Sequence, residues 1–258
     1  MGRTLPASTT AAPAPAEPAD SASTAHEQVY RKLRERILFG GFMPGGAVTL
    51  RGLAEELGVS PMPVREAVRR LIAERALTMR DNRRVMVAPM TSAKFEEVLF
   101  GRRAIEPELA ARALLRMRRA DIDAIAAIDD AIDRAMVTGD VEDYMRGNYR
   151  FHFALYAHAG AETLLALVES IWLQFGPFMR MAYGRVGTSD LEDHHHGAIA
   201  AMRRGDEGGL REAIVADICQ GMGFIGDGVL GVESGSGNTQ KIDQVSARPG
   251  CVTSTGSA

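Results

Sequence analysis

Three residues, Gly58-Val59-Ser60, are all that separates two amphipathic helical patterns, and so short a link leaves few ways to arrange them. The first pattern, from about Leu50 to Leu57, carries Leu53, Ala54 and Leu57 on one stripe. The second continues to about Glu74 with Val64, Val68 and Leu71 inward. Ser60 suits an N-cap, and Pro61 at the first helical position lacks an N–H that would stay unpaired there anyway. Ahead of this pair, Val29, Leu33 and Ile37 recur at helical spacing until Gly40-Gly41. Behind it, the apolar segments Leu77–Met79 and Val85–Ala88 flank Asp81-Asn82-Arg83-Arg84, which reads as a small β-hairpin with a basic tip. The expectation is a winged helix-turn-helix of three helices and a hairpin.

With Val64, Val68 and Leu71 packed inward, Met62, Arg65, Arg69 and Arg70 fall on the outer face of the third helix. Its first turns hold Ser60, Met62 and Arg65, the part of a recognition helix that reaches base edges. An arginine there can donate two hydrogen bonds to guanine, worth about 1–3 kcal/mol of discrimination. Arg51 opens the preceding helix, and Arg83 and Arg84 at the wing tip suit phosphates or the minor groove. Charge agrees: Val29 to Pro89 carries 12 basic against 6 acidic residues, while the rest carries 18 against 27. Only the basic module is expected to meet a polyanion.

From Lys94 to about Leu230 every strong period is helical. Ile105, Leu109 and Ala113 form one stripe and Ile122, Ile125, Ile128 and Ile132 another, which predicts an all-α antiparallel bundle of six or seven helices. The chain is therefore expected to be mainly α, with a DNA-binding domain over 26–90 and a bundle over 94–231. Tails over 1–25 and 232–258 are too poor in large apolar residues to order themselves. No apolar run approaches a membrane span, no secretory signal is expected, and two cysteines fit a reducing cytoplasm better than a stapled secreted fold.

The wording of the basic module carries more than its pattern. Val29-Tyr30, Leu33-Arg34, Ile37, Gly40 and Pro44-Gly45, then Leu53-Ala54, Leu57-Gly58-Val59-Ser60, Pro63-Val64-Arg65-Glu66-Ala67 and Leu71 closely resemble the GntR family of bacterial regulators. The resemblance implies that Arg51, Ser60, Met62, Pro63 and Arg65 lie at the DNA interface. Pro61 stands where the family usually has Arg, and Arg84 where the wing usually has Gly, so a side-chain contact replaces a close backbone approach.

The bundle is similar to the FCD domain of the FadR-type branch, through Arg102-Arg103-Ala104-Ile105-Glu106, Phe151-His152, His195, Ile199, Ala201-Met202 and Gly205-Asp206. That resemblance implies a divalent metal held by an Asp-x3-His pair and two later histidines, often beside a carboxylate effector. Here the matching positions are Asn148, His152, His195 and Asp217, with Asn and Asp replacing Asp and His. Asn148 and His152, four apart, share a helix face. Two nitrogens and two oxygens are competent for Zn²⁺, Mn²⁺ or Ni²⁺. Arg102 is placed to pair with an effector carboxylate, or with Glu106 one turn on, and Tyr149 and Trp172 are candidates for the pocket wall.

The function expected is a homodimeric regulator, a repressor by family precedent, that binds a palindromic operator in double-stranded DNA. A small organic acid in the bundle controls it, with no membrane association and no enzymatic activity. A metal-independent sensor of acyl-CoA is the rival within the class. A metal-dependent hydrolase is the rival outside it, and HExxH, a phosphate loop and a nucleophile elbow are all missing from the sequence. A non-specific architectural DNA protein is disfavoured by the well-formed recognition helix and the acidic second half.

Overall fold

Apolar spacing decides the elements of the winged part, which the computed structural model describes, with the rest of the chain, over residues 25–80, 84–186 and 194–230. The N-terminal helix α1 spans Ala25–Leu38, β1 Ala47–Thr49, α2 Leu50–Leu57, α3 Pro61–Ala73, β2 Leu77–Met79 and β3 Arg84–Val87. Val29, Leu33, Ile37, Leu53, Val64, Val68 and Leu71 meet in one buried core. The Thr49 hydroxyl accepts the Gly52 N–H at 2.9 Å and so caps α2. Gly58 ends that helix at φ +66°, a left-handed conformation that a side chain would strain. Ser60 has N-cap backbone angles but makes no side-chain cap bond, and Pro61 follows at the first helical position.

The wing differs from the expected hairpin. Ala47–Thr49 adds a third strand in the order β1-β3-β2, both pairs antiparallel, with Val48 opposite Val85 and Thr78 opposite Met86. Three residues are too few to display a two-residue period, so only pairing with β3 reveals that strand. Asp81, Asn82 and Arg83 lie outside the described residues, as do both tails.

Six α-helices follow: α4 (Ser92–Leu114), α5 (Arg119–Thr138), α6 (Val141–Ala157), α7 (Glu162–Val186), α8 (His194–Arg204) and α9 (Glu207–Ile225), with a π-helical turn over Gly226–Leu230. Helix α4 packs on α9, α7 and α6, while α5 packs on α6 and α8. Asp140 caps α6 and Asp206 caps α9, each accepting a backbone N–H three residues on. Two apolar stripes run differently from expectation. Along α5 the buried positions are Ile122, Ile125, Asp129 and Ile132, with Ile128 only half-buried; along α4 Arg102 and Glu106 are buried beside Leu109 and Ala113. Charged residues inside these stripes mark where the bundle does something other than pack. No helix among the described residues is long and apolar enough to cross a membrane.

The winged part rests on the bundle through α1 and α7. Gly176 makes this approach possible, since a Cβ there would sit 3.1 Å from the Leu38 carbonyl oxygen. Arg34 pairs with Glu169 at 3.3 Å, and Arg180 donates to the Phe39 carbonyl at 3.3 Å.

Candidate nucleic-acid interface and metal centre

The outer face of α3 is open where sequence reasoning wants it to be. Ser60, Met62 and Arg65 are exposed, Met62 at 57%. The Arg65 side chain makes no hydrogen bond or ion pair with a described residue. Arg51 is exposed beside them on α2 and pairs with Glu55 at 2.8 Å. Arg69 pairs with Glu66 at 3.4 Å and stays mostly exposed. These surface pairs are worth little and yield readily to a phosphate. Arg84, the first residue of β3, is exposed at the edge of the wing; Arg83 is outside the described residues.

Two residues grouped with that face behave otherwise. Pro63 is buried in the core-facing side of α3, because position 63 lies next to Val64 on the inward stripe and has no surface to offer a ligand. Arg70 pairs with Glu27 and Glu74, and its guanidinium sits 3.6 Å over the Tyr30 ring. It ties α3 to α1.

In the bundle, α6, α8 and α9 bring His152, His195 and Asp217 together, with candidate ligand atoms within 4.8 Å of one another. His152 Nε2 lies 3.0 Å from Asp217 Oδ2, and His195 Nε2 lies 3.5 Å from Oδ1. Neither nitrogen makes a hydrogen bond there, and the Oδ1 of Asn148, one turn before His152, is also buried without one. The far sides of both rings are engaged. His195 Nδ1 is 2.9 Å from Asp129 Oδ1, and a carboxylate only accepts, so Nδ1 carries the proton. Tyr156 donates its hydroxyl proton to Glu106 Oε2 at 2.9 Å and therefore accepts from His152 Nδ1 at 3.0 Å.

Both rings thus turn Nε2 toward the same carboxylate, an arrangement that a proton on each nitrogen or a bound cation satisfies. Burial works to raise the Asp217 carboxyl. The opposing pull of His152, His195 and Arg102 outweighs it and holds the group well below the ordinary aspartate range. Two buried histidine nitrogens converging on a carboxylate fit a divalent ion, and the nitrogen–oxygen donor set suits Zn²⁺, Mn²⁺ or Ni²⁺. Asp129, only 1% exposed, escaped sequence reasoning. The signal was present: 122, 125, 129 and 132 make a 3-4-3 helical stripe with one acid in it.

Arg102 does not stand open in a cavity. Its Nε donates to Glu106 Oε1 at 2.6 Å and Nη2 to Oε2 at 3.3 Å, so the intrahelical pair forms. Trp172 Nε1 donates to the same carboxylate at 3.2 Å. Burial alone would lower the Arg102 guanidinium, and the Glu106 charge raises it. Arg102 and Trp172 therefore converge on Glu106. Tyr149 does not: it lies beyond Trp172, edge-on at 5.5 Å, and turns toward Phe39 of the winged part at 5.7 Å.

Residues 25–87 match the family described as bacterial regulatory proteins, gntR family, and residues 97–218 match the FCD domain. The chain is 27% identical over 196 residues to the HTH-type transcriptional regulator McbR of Escherichia coli, covering 75% of this chain and 88% of that protein. It is 25% identical to the HTH-type transcriptional repressor GlaR of Escherichia coli, over 55% of this chain and 67% of the relative. The solved structure of E. coli McbR/YncC superposes with a TM-score of 0.73 at 25% identity, covering 78% of this chain and 96% of that one. A GntR regulator from Rhodococcus sp. RHA1 shares the fold at a TM-score of 0.64 and 21% identity, over 78% of this chain and 96% of that one.

Proposed function

This chain belongs to the bacterial gntR family of regulatory proteins, with an FCD domain as its second part, and we propose how it works as a transcriptional regulator. A homodimer, in the cytoplasm, presents two winged domains of about residues 26–90 to a palindromic operator, with the half-site spacing set by its two-fold axis. Ser60, Met62 and Arg65 meet base edges in the major groove. Arg51, Arg69, Arg83 and Arg84 hold the phosphates, which makes affinity fall with salt. The observation that carries this reading is the exposed N-terminal face of α3, where Arg65 extends without a described partner.

Asn148, His152, His195 and Asp217 would hold a divalent ion in the bundle, with Asp129 and Tyr156 fixing the two rings. When bound there, such an ion would supply a Lewis-acidic site for the carboxylate of a small organic acid. Around it, Arg102 and Glu106 anchor the polar floor, and Tyr156 links that floor to His152. The contacts Glu106–Trp172, Trp172–Tyr149 and Tyr149–Phe39 run from this floor to the end of α1. An acid that binds one arrangement of this run better than another shifts DNA affinity, and release of a repressor is the expected sign. The relative GlaR is a transcriptional repressor, which favours that sign.

Electrophoretic shift and fluorescence anisotropy with DNA from upstream of the chain's own gene test the reading. A discrete, salt-sensitive complex that unlabelled non-cognate DNA fails to displace, and that Arg65→Ala weakens, is the expected result. Sequence-blind binding, or binding indifferent to Arg65→Ala, overturns it.

A further inference from the structure

We propose that the groove between α1 and the α5–α6 pair is a second ligand site, separate from the metal cluster, for a small anion with an aromatic body, of the aryl-carboxylate kind. The groove encloses about 670 Å³, a size within the range of roughly 300–1,000 Å³ usual for small-molecule sites, and it lies where such sites concentrate, between two folded parts. Its walls hold Arg31, Arg34, Arg146 and Arg150 against Glu35 and Asp143, so the lining favours a monoanion. Phe39 and Tyr149 supply an aromatic floor, ring edge to ring face at 5.7 Å.

Several groups there have capacity to spare. Arg150 makes no ion pair or hydrogen bond with a described residue. It follows Arg146 by four positions on one helix face; Arg146 is paired with Glu142 at 2.9 Å, so Arg150 is the unmatched cation of the two. The Arg146 guanidinium lies 4.4 Å over the Phe39 ring, which holds its charge at the aromatic floor of the groove. Tyr149 makes no hydrogen bond with a described residue, and burial pushes its hydroxyl up to about 12, so it remains a donor at every working pH. Arg34 spreads two nitrogens over one Glu169 oxygen at 3.3 Å each, leaving further donors toward the groove.

Positions 146 and 150 lie two residues from 148 and 152, which is about 200° around the α6 axis. The site therefore faces away from the ion and shares none of its ligands. One wall comes from the winged part and the other from the bundle. A ligand in the groove clamps the two together, so its occupancy sets how freely the DNA-reading helix can reorient.

Isothermal titration of the full chain with 4-phenylbutyrate tests this, using 4-phenylbutanol and acetate as arms without the charge and without the ring. One site per chain is expected, with affinity for either control lower by roughly tenfold or more. Arg150→Glu, at an exposed position that threatens no packing, should weaken 4-phenylbutyrate by roughly tenfold or more, and Arg150→Gln by less. Metal-stripped protein and His152→Ala should bind it as the untreated chain does, which separates this site from the one around the ion. Absence of binding to the unaltered chain, binding that survives Arg150→Glu, or binding that requires His152 overturns the proposal.

Discussion

Arg65 and Arg70 stand five residues apart on one helix and carry opposite duties. Arg65 reaches outward without a described partner; Arg70 is spent on Glu27, Glu74 and the Tyr30 ring. Arg65→Ala is expected to cost about 1–3 kcal/mol of operator affinity, read as a shift in anisotropy midpoint, while leaving the melting temperature unchanged. Arg70→Ala should do the reverse, lowering thermal stability with a smaller effect on DNA. Asp129 offers a parallel contrast at the metal cluster, because it holds the far side of the His195 ring and pairs with His196 at 3.6 Å. Asp129→Asn should weaken Zn²⁺ binding by about 10–100-fold in calorimetry without changing the one-ion stoichiometry. The outer arginines were legible because a recognition helix repeats a fixed geometry. Asp129 was not, since apolar neighbours at 122, 125 and 132 make an acid in the same stripe look like noise until the fold supplies His195.

At the level of elements, helices were readable and the third strand was not. Helix boundaries rest on local capping, and Asp121 at the start of α5 shows it. Its carboxyl is pulled down to about 2 by the Arg118 side chain and then the Arg118 backbone N–H. A depressed folded value means that the stabilisation is present above the ordinary aspartate range and disappears as the pH falls through it. Asp121→Asn should therefore melt below the unaltered chain near neutrality, and the gap should close as the pH drops toward 2. Circular dichroism melts across that range check it. Strand β1 depends instead on a partner 37 residues away, Val48 opposite Val85, and nothing within Ala47–Thr49 announces that pairing.

The whole molecule is held together along α1 and α7, where the backbone of Leu38 lies against Gly176. Gly176→Val puts a branched side chain against backbone that cannot yield. It should cost about 1–3 kcal/mol and separate the winged part from the bundle, visible as faster proteolysis between residues 87 and 92. Metal acts on the same scale. At a hundredfold excess over its Kd, a bound ion should add about 2.7 kcal/mol of stability. Thermal melts should then rise by several degrees on adding Zn²⁺ and fall back with chelator, and His152→Ala should show neither response.

Local order determined what could be read from residues alone: the three-residue turn, the caps, the outward arginines and the helical character of residues 94–230 all follow from spacing between near neighbours. Tertiary structure decided which charges are committed and which are available. Asp129 claims His195 and Glu27 claims Arg70 across separations of 66 and 43 residues. Hydrogen bonds and ion pairs form between groups that meet in space, so a side chain's role remains undetermined until its partners, distant in the chain, have been folded beside it.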